Sequence, residues 1–199
     1  MIVKCDKEGI GKVSEIVAGG GIVVFPTDTV YGIGCDPYNK SAVRRVYEIK
    51  KRPTSKPFPV LAYSQKVVSE IAEFDEHSKN IAQKFWPGPL TLILKLKDEK
   101  LRDSLGLKDK IAVRVPNNHC LLGLLKKSKF LIGTSANMSG EGSFTKSKEC
   151  HKKVRGWDAF LDGGDINSAG ESTILEIQKG KPIIHRQGIL EQGEIVENF

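Results

Sequence analysis

Gly21-Ile22-Val23-Val24-Phe25-Pro26-Thr27-Asp28-Thr29-Val30-Tyr31-Gly32-Ile33-Gly34-Cys35 decides how this chain is read. Residues 21–25 carry no charge and hold two adjacent valines, which is the composition of a buried strand. Pro26 ends the ladder because it has no N–H to give. Thr27, Asp28 and Thr29 favour turns and caps. Gly32 and Gly34 admit backbone angles or close approaches that other residues do not. An apolar strand that runs out into hydroxyls, a carboxylate and flexible backbone is a common floor for a site in an α/β protein.

Working outward, a loose alternation over 2–5 predicts a short strand. Ile10, Val13, Ile16 and Val17 then predict a helix that Gly19-Gly20-Gly21 terminates. Asn39 or Ser41 caps a second helix, which Pro53 forces to end by Arg52. A strand over 58–62, a short helix over 67–74 and a helix from Asp75 to Trp86 follow. Strands over 90–96 and 111–115 come next, then a helix opened by Asn117 or Asn118. The apolar run Phe130-Leu131-Ile132-Gly133 spills into Thr134-Ser135-Ala136-Asn137-Met138-Ser139-Gly140, a second strand-to-polar-loop junction. A helix over 146–154, a turn over 160–165 and a hairpin of 171–177 with 182–186 complete the chain. Helices and strands mix without strict alternation. This predicts an α/β (α+β) fold, a twisted mixed sheet with flanking helices, as one domain over residues 1–199.

The 199 residues suffice for a self-sufficient core, and 39% hydrophobic with 28% charged fits a soluble globular protein. No apolar run approaches the roughly 18–20 residues that span a bilayer. The first residues lack the apolar core of a signal peptide, so a cytoplasmic location without membrane contact is expected. A net charge of +7 suits a polyanionic partner, either a nucleotide or a nucleic acid. The four cysteines form no C-x-x-C pair, so neither a zinc site nor a disulfide framework is expected. Adjacent side chains diverge in strands and helices alike, so His119-Cys120 and Cys150-His151 are not expected to share a metal.

Three polar loops, 26–36, 133–144 and 162–173, are rich in Ser, Thr, Gly, Asn or Asp. Basic residues stand at Lys50, Arg52, Lys56, Arg114 and Arg186. Converged, they would make a cationic cavity suited to phosphate. No P-loop, dinucleotide fingerprint or nucleophile–histidine constellation is present. Reading the cation cluster at the end of the second helix as a dipole partner is the plain alternative.

Eight motifs then come in order: Pro26-Thr27-Asp28-Thr29-Val30-Tyr31-Gly32, Lys50-Lys51-Arg52-Pro53, Phe85-Trp86-Pro87-Gly88-Pro89-Leu90-Thr91, Ala112-Val113-Arg114-Val115-Pro116, Ser135-Ala136-Asn137-Met138-Ser139-Gly140, Asp162-Gly163-Gly164, Glu171-Ser172-Thr173-Ile174 and Arg186-Gln187-Gly188. Together they resemble the YrdC/Sua5 family of L-threonylcarbamoyladenylate synthases, from about residue 8 to about residue 190. The resemblance implies a partly barrel-like sheet around a large basic concavity. The chain's end at Phe199 resembles the short YrdC-type form. The implied reaction joins L-threonine, bicarbonate and ATP into threonylcarbamoyl-AMP and pyrophosphate, with Mg2+ carried on ATP and no metal site in the protein. A downstream transferase would then modify adenosine 37 of tRNA.

By the same resemblance Lys50 and Arg52 are catalytic. Thr29, Arg114, Gly133 and Ser172 bind threonine, and Arg52, Lys56, Ser135, Asn137, Ser143 and Arg186 bind the nucleotide. Three positions depart from the family pattern: Leu61 where a histidine is common, and Phe144 and Gln187 where prolines are. Two other readings stand beside this one. One is adenylation of a different carbamate or carbamoyl donor, as in the related domain of hydrogenase-maturation carbamoyltransferases. The other is a module that holds tRNA or double-stranded RNA by its phosphates.

Overall fold

The structure is a computed structural model, and it describes residues 1–197. Residues 198 and 199, part of the expected single domain, lie outside the described residues. β1 (Ile2–Lys4) leads into α1 (Lys7–Ala18), β2 (Val23–Phe25), β3 (Gly32–Gly34), α2 (Lys40–Lys50) and β4 (Val60–Ala62). The middle holds α3 (Gln65–Ile71), β5 (Ala72–Glu73), α4 (Glu76–Phe85), β6 (Leu90–Leu96), α5 (Glu99–Leu105) and β7 (Lys110–Arg114). Then come α6 (His119–Ser128), β8 (Phe130–Ile132), β9 (Thr134–Ser135), α7 (Ser147–Lys153), β10 (Ala159–Asp162), β11 (Thr173–Gln178), β12 (Lys181–Arg186) and α8 (Gln192–Val196).

The caps explain the helix starts. Asp6, Asn39, Ser64, Asp75, Asp98 and Asn118 each accept the N–H three residues on. Lys51 ends α2 in the left-handed region, at φ 49°, before Pro53.

The strands form two open mixed sheets rather than one sheet bent toward a barrel. The first has the order β1-β10-β2-β3-β9. The second has the order β12-β11-β6-β7-β4-β8, with β5 on β6. The chain passes from the second sheet to the first at Gly133, between β8 and β9. One core cluster joins Val24, Ile33, Val60, Leu92 and Val113, which come from both sheets, with Val46 of α2. A second packs α1 and α6 against Val23, Phe25, Ala159 and Leu161.

Several expectations are corrected. Residues 160–165, read as a turn, supply most of β10, a central strand paired in parallel with β1 and β2. Gly32–Gly34, read as loop, is a strand between β2 and β9. Helix α5 carried no clear apolar period and was not expected. Cys5 and Cys120, expected to be free, are joined as a disulfide with Cα atoms 5.6 Å apart. Among the described residues no helix is long and apolar enough to cross a membrane.

Gly34 is where the first sheet meets the second. A Cβ there would lie 1.7 Å from the carbonyl oxygen of Ile132. Backbone cannot yield as a flexible side chain can. Gly34→Ala is therefore expected to lose roughly 3 kcal/mol in urea unfolding. Gly142→Ala, with nothing within 4 Å of its added carbon, should stay within about 0.5 kcal/mol of the parent.

Candidate active site

The loop between β2 and β3 is built around one hydroxyl. Thr27 Oγ1 accepts the N–H groups of Thr29 at 2.9 Å and Val30 at 3.1 Å and donates to the Val30 carbonyl at 2.7 Å. Thr27 Oγ1 and Thr29 Oγ1 also lie 2.9 Å apart, a contact that either hydroxyl can donate. The Thr29 hydroxyl in turn accepts Arg114 Nη1 at 3.1 Å. Arg114 stands at the end of β7. Its Nε donates to the Gly88 carbonyl at 2.9 Å, and its Nη2 meets Asp28 Oδ1 at 2.6 Å. Both partners of this ion pair are nearly buried. Burial pulls the Arg114 guanidinium below its usual range, and the Asp28 carboxylate opposes that shift.

Around this point opens a cavity of about 810 Å³. Of the eleven residues singled out from sequence, ten line it: Thr29, Lys50, Arg52, Lys56, Arg114, Gly133, Ser135, Asn137, Ser172 and Arg186. Ser143 is not among the lining residues. Its hydroxyl donates to Glu171 Oε1 at 2.5 Å, and Glu171 is at the wall. Leu61, where the family often has histidine, is buried beneath Gly133; a Cβ at Gly133 would strike it at 2.3 Å.

The cations fall into distinct settings. Lys50 Nζ donates to Ser135 O at 2.5 Å, Asn137 O at 2.7 Å and Asn137 Oδ1 at 3.1 Å, which uses all three of its protons. Burial first, and the charge of Arg52 second, bring its pKa down to about 8, with Glu171 opposing. Arg52 is anchored through Nε to the Lys56 carbonyl at 2.8 Å and lies over the Phe58 ring. Arg186 donates through Nε and Nη2 to the Ser172 carbonyl, at 3.1 and 2.8 Å, and through Nη1 to Glu171. Asn137 is consumed in shaping its own loop, accepting Ser135 Oγ at 2.7 Å and donating to the Glu141 carbonyl.

Three wall or support residues escaped the sequence reading. Asp28 and Glu171 sit inside quoted motifs, but only the fold shows that they pair with Arg114 and Arg186. His185 lines the cavity directly beside Arg186, although neighbours in a strand normally face opposite ways. A register shift in the β11–β12 ladder, from Ile174↔Arg186 to Leu175↔Ile184, leaves His185 as the extra residue and turns it inward. Its Nε2 lies 2.8 Å from Glu176 Oε2. No spacing in the sequence signals that irregularity.

A model of the family Sua5_yciO_yrdC, described as "Telomere recombination", matches residues 15–188. The chain belongs to the Sua5/YciO/YrdC family. A threonylcarbamoyl-AMP synthase of Pyrococcus abyssi is 35% identical over 179 residues, which cover 88% of this chain and 53% of that one. A putative threonylcarbamoyl-AMP synthase of Methanocaldococcus jannaschii is 37% identical over 175 residues, covering 87% and 83%. Among solved structures, P. abyssi Sua5 complexed with L-threonine superposes with a TM-score of 0.93 at 31% identity, over 99% of this chain and 60% of that one. The chain thus spans about half the length of the P. abyssi synthase and most of the M. jannaschii protein.

Two outcomes test the site's construction. Asp28→Asn leaves Arg114 buried without its counter-charge, so unfolding free energy should drop by about 3 kcal/mol. The lowered pKa of Lys50 means that the folded chain releases this proton near pH 8 while the unfolded chain keeps it to about 10.5. Stability from this group therefore rises across that window. Relative to Lys50→Met, the parent should gain stability in urea melts as pH is raised from 7 to 10; a difference independent of pH would refute this.

Proposed function

We propose that this family member joins L-threonine, bicarbonate and ATP into threonylcarbamoyl-AMP and pyrophosphate; its relatives carry the name threonylcarbamoyl-AMP synthase. The observation that carries the reading is the single cavity onto which Arg52, Lys56, Arg114 and Arg186 all open. Its volume of about 810 Å³ lies in the range of small-ligand sites. It can accept a nucleotide with an amino acid and is too small for a nucleic-acid duplex, which argues against the RNA module as the use of this cavity.

The hydrogen-bond inventory divides the work. Arg114 has five N–H groups, and three are committed to Gly88, Thr29 and Asp28. One N–H on each terminal nitrogen remains, the pair that a carboxylate takes up in bidentate fashion. Threonine's carboxylate is assigned there. The Thr29 hydroxyl is assigned to the amino group, and Ser172 and Gly133 complete that end. Arg52, Lys56 and Arg186 are assigned to the ATP phosphates beside Ser135.

Lys50 and Asn137 hold the 135–141 loop in shape, so Lys50 acts as a positioning residue and Arg52 as the catalytic one. Ser143 acts on Glu171 rather than on the nucleotide. Mg2+ enters with ATP as part of the substrate, on phosphate oxygens.

Once the amine has taken up CO2, the carbamate oxygen is already an anionic nucleophile toward the α-phosphorus. The chain's task is to place two anions together and neutralise the repulsion between them. A nucleophile–base dyad is not needed.

The direct assay follows labelled ATP with Mg2+ and bicarbonate, with and without L-threonine. AMP-containing product and pyrophosphate are expected only with threonine. Pyrophosphate release that ignores threonine would overturn the reading. Arg52→Ala should cut turnover by about 100-fold or more, the scale of a lost transition-state donor, while the thermal melt stays within a few degrees of the parent.

A further inference from the structure

Away from the cavity, Cys5, His119 and Cys120 bring two sulfurs and an imidazole nitrogen within 4.8 Å of one another. Cys5 lies between β1 and α1, and Cys120 in the first turn of α6. The pair is 115 residues apart in sequence. Cys120 is fully buried, Cys5 is partly exposed, and His119 is exposed. His119 Nε2 is 3.3 Å from Cys5 Sγ and 3.7 Å from Cys120 Sγ. One sulfur of the bond can thus be reached from solvent, with a proton carrier beside it. The other two cysteines offer no such access. Cys35 and Cys150 are buried, and burial pushes both thiols up to about 12.

The same short stretch holds the site loop. Asn118, next to His119, donates through Nδ2 to the Thr27 carbonyl at 3.3 Å, while its Oδ1 caps Leu121. Cys120 Sγ packs on Gly163, where an added Cβ would lie 3.3 Å from the sulfur and 2.7 Å from the Pro26 ring. Gly163 N–H in turn donates to the Tyr31 hydroxyl at 3.3 Å. Thus Pro26, Thr27 and Tyr31, which bracket the turn carrying Thr29, are all reached from residues 118–120.

We infer that Cys5, Cys120 and His119 form a reversible thiol–disulfide site, closed by a small-molecule disulfide and opened by a small thiol, whose state sets the order of the 26–31 loop. In closure, the Cys5 thiol passes its proton to His119, and its sulfur attacks one sulfur of the small disulfide RSSR. A Cys5–SR bond forms, the RS–SR bond breaks, and the leaving RS⁻ collects the proton. The Cys120 sulfur then attacks Cys5 from the buried side and expels the second RS⁻, which takes the Cys120 proton. Two protein thiols are oxidised and RSSR is reduced to two RSH. Neither step depends on which substrates the cavity takes.

The test uses the full chain equilibrated with glutathione disulfide or with dithiothreitol, then alkylated and mapped by mass spectrometry. A Cys5–Cys120 linked peptide is expected only in the first sample, with two more alkylated thiols in the second. Opening should lower Tm by about 5–10 °C and speed amide exchange over both 26–31 and 118–122. Cys5→Ser should show the lower Tm and no response to either reagent. His119→Gln should still form the bond, about tenfold more slowly at pH 7. Failure of the linked peptide to form overturns the proposal. So does uptake of one Zn2+ by the reduced chain with both thiols shielded, which would make the cluster a metal centre. A bond that opens without changing exchange over 26–31 removes the coupling to the loop.

Discussion

The buried pairing of Asp28 with Arg114 is the constraint on which this molecule turns. Asp28 comes from the loop leaving the first sheet, and Arg114 from the end of β7 in the second. Removing two charges from water costs several kcal/mol per ion, and only close geometry with further hydrogen bonds offsets it. Here those further bonds come from Thr29 and from the Gly88 carbonyl. The same four groups therefore fix how the sheets meet, where the site loop lies and which way the guanidinium faces. Fold and site are one set of bonds at this point.

Lys50 does for the far wall what Arg114 does for the floor. A buried ammonium with three carbonyl-type acceptors pins the loop after β9 to the end of α2. Basic residues in this cavity thus divide into those that hold the walls and those that remain turned to the opening. Net charge alone could not have told the two apart, since both contribute equally to the sum.

Much of this was readable in one dimension. The helix cap at Asp75 announces itself, and those at Asn39 and Asn118 are narrowed to two candidates each, with Ser41 and Asn117 the others, because a side chain and an amide three residues later settle the matter locally. The convergence of Arg52, Arg114 and Ser135 was legible from the order of the motifs, through resemblance and not through spacing. What stayed hidden was non-local. Residues 160–165 read as a turn because Asp162-Gly163-Gly164 is turn chemistry, yet Ala159–Asp162 is held between β1 and β2, strands from the other end of the chain. Gly32–Gly34 lacks strand composition because its glycines answer to the Phe25 ring and the Ile132 carbonyl. The contact of Cys5 with Cys120 follows from the packing of α1 on α6, which leaves no periodic mark.

Glu171 gives the cavity a resident anion of its own. It accepts from Ser143 on one oxygen and from Arg186 on the other. Under the proposed function, a phosphate arriving at Arg186 would compete with a carboxylate already in place and gain only the difference between two pairings. The wall is in this sense spring-loaded against over-tight retention. Were a polyphosphate to leave that wall, Glu171 would be on hand to take back Arg186, so that its departure would leave no uncompensated charge there.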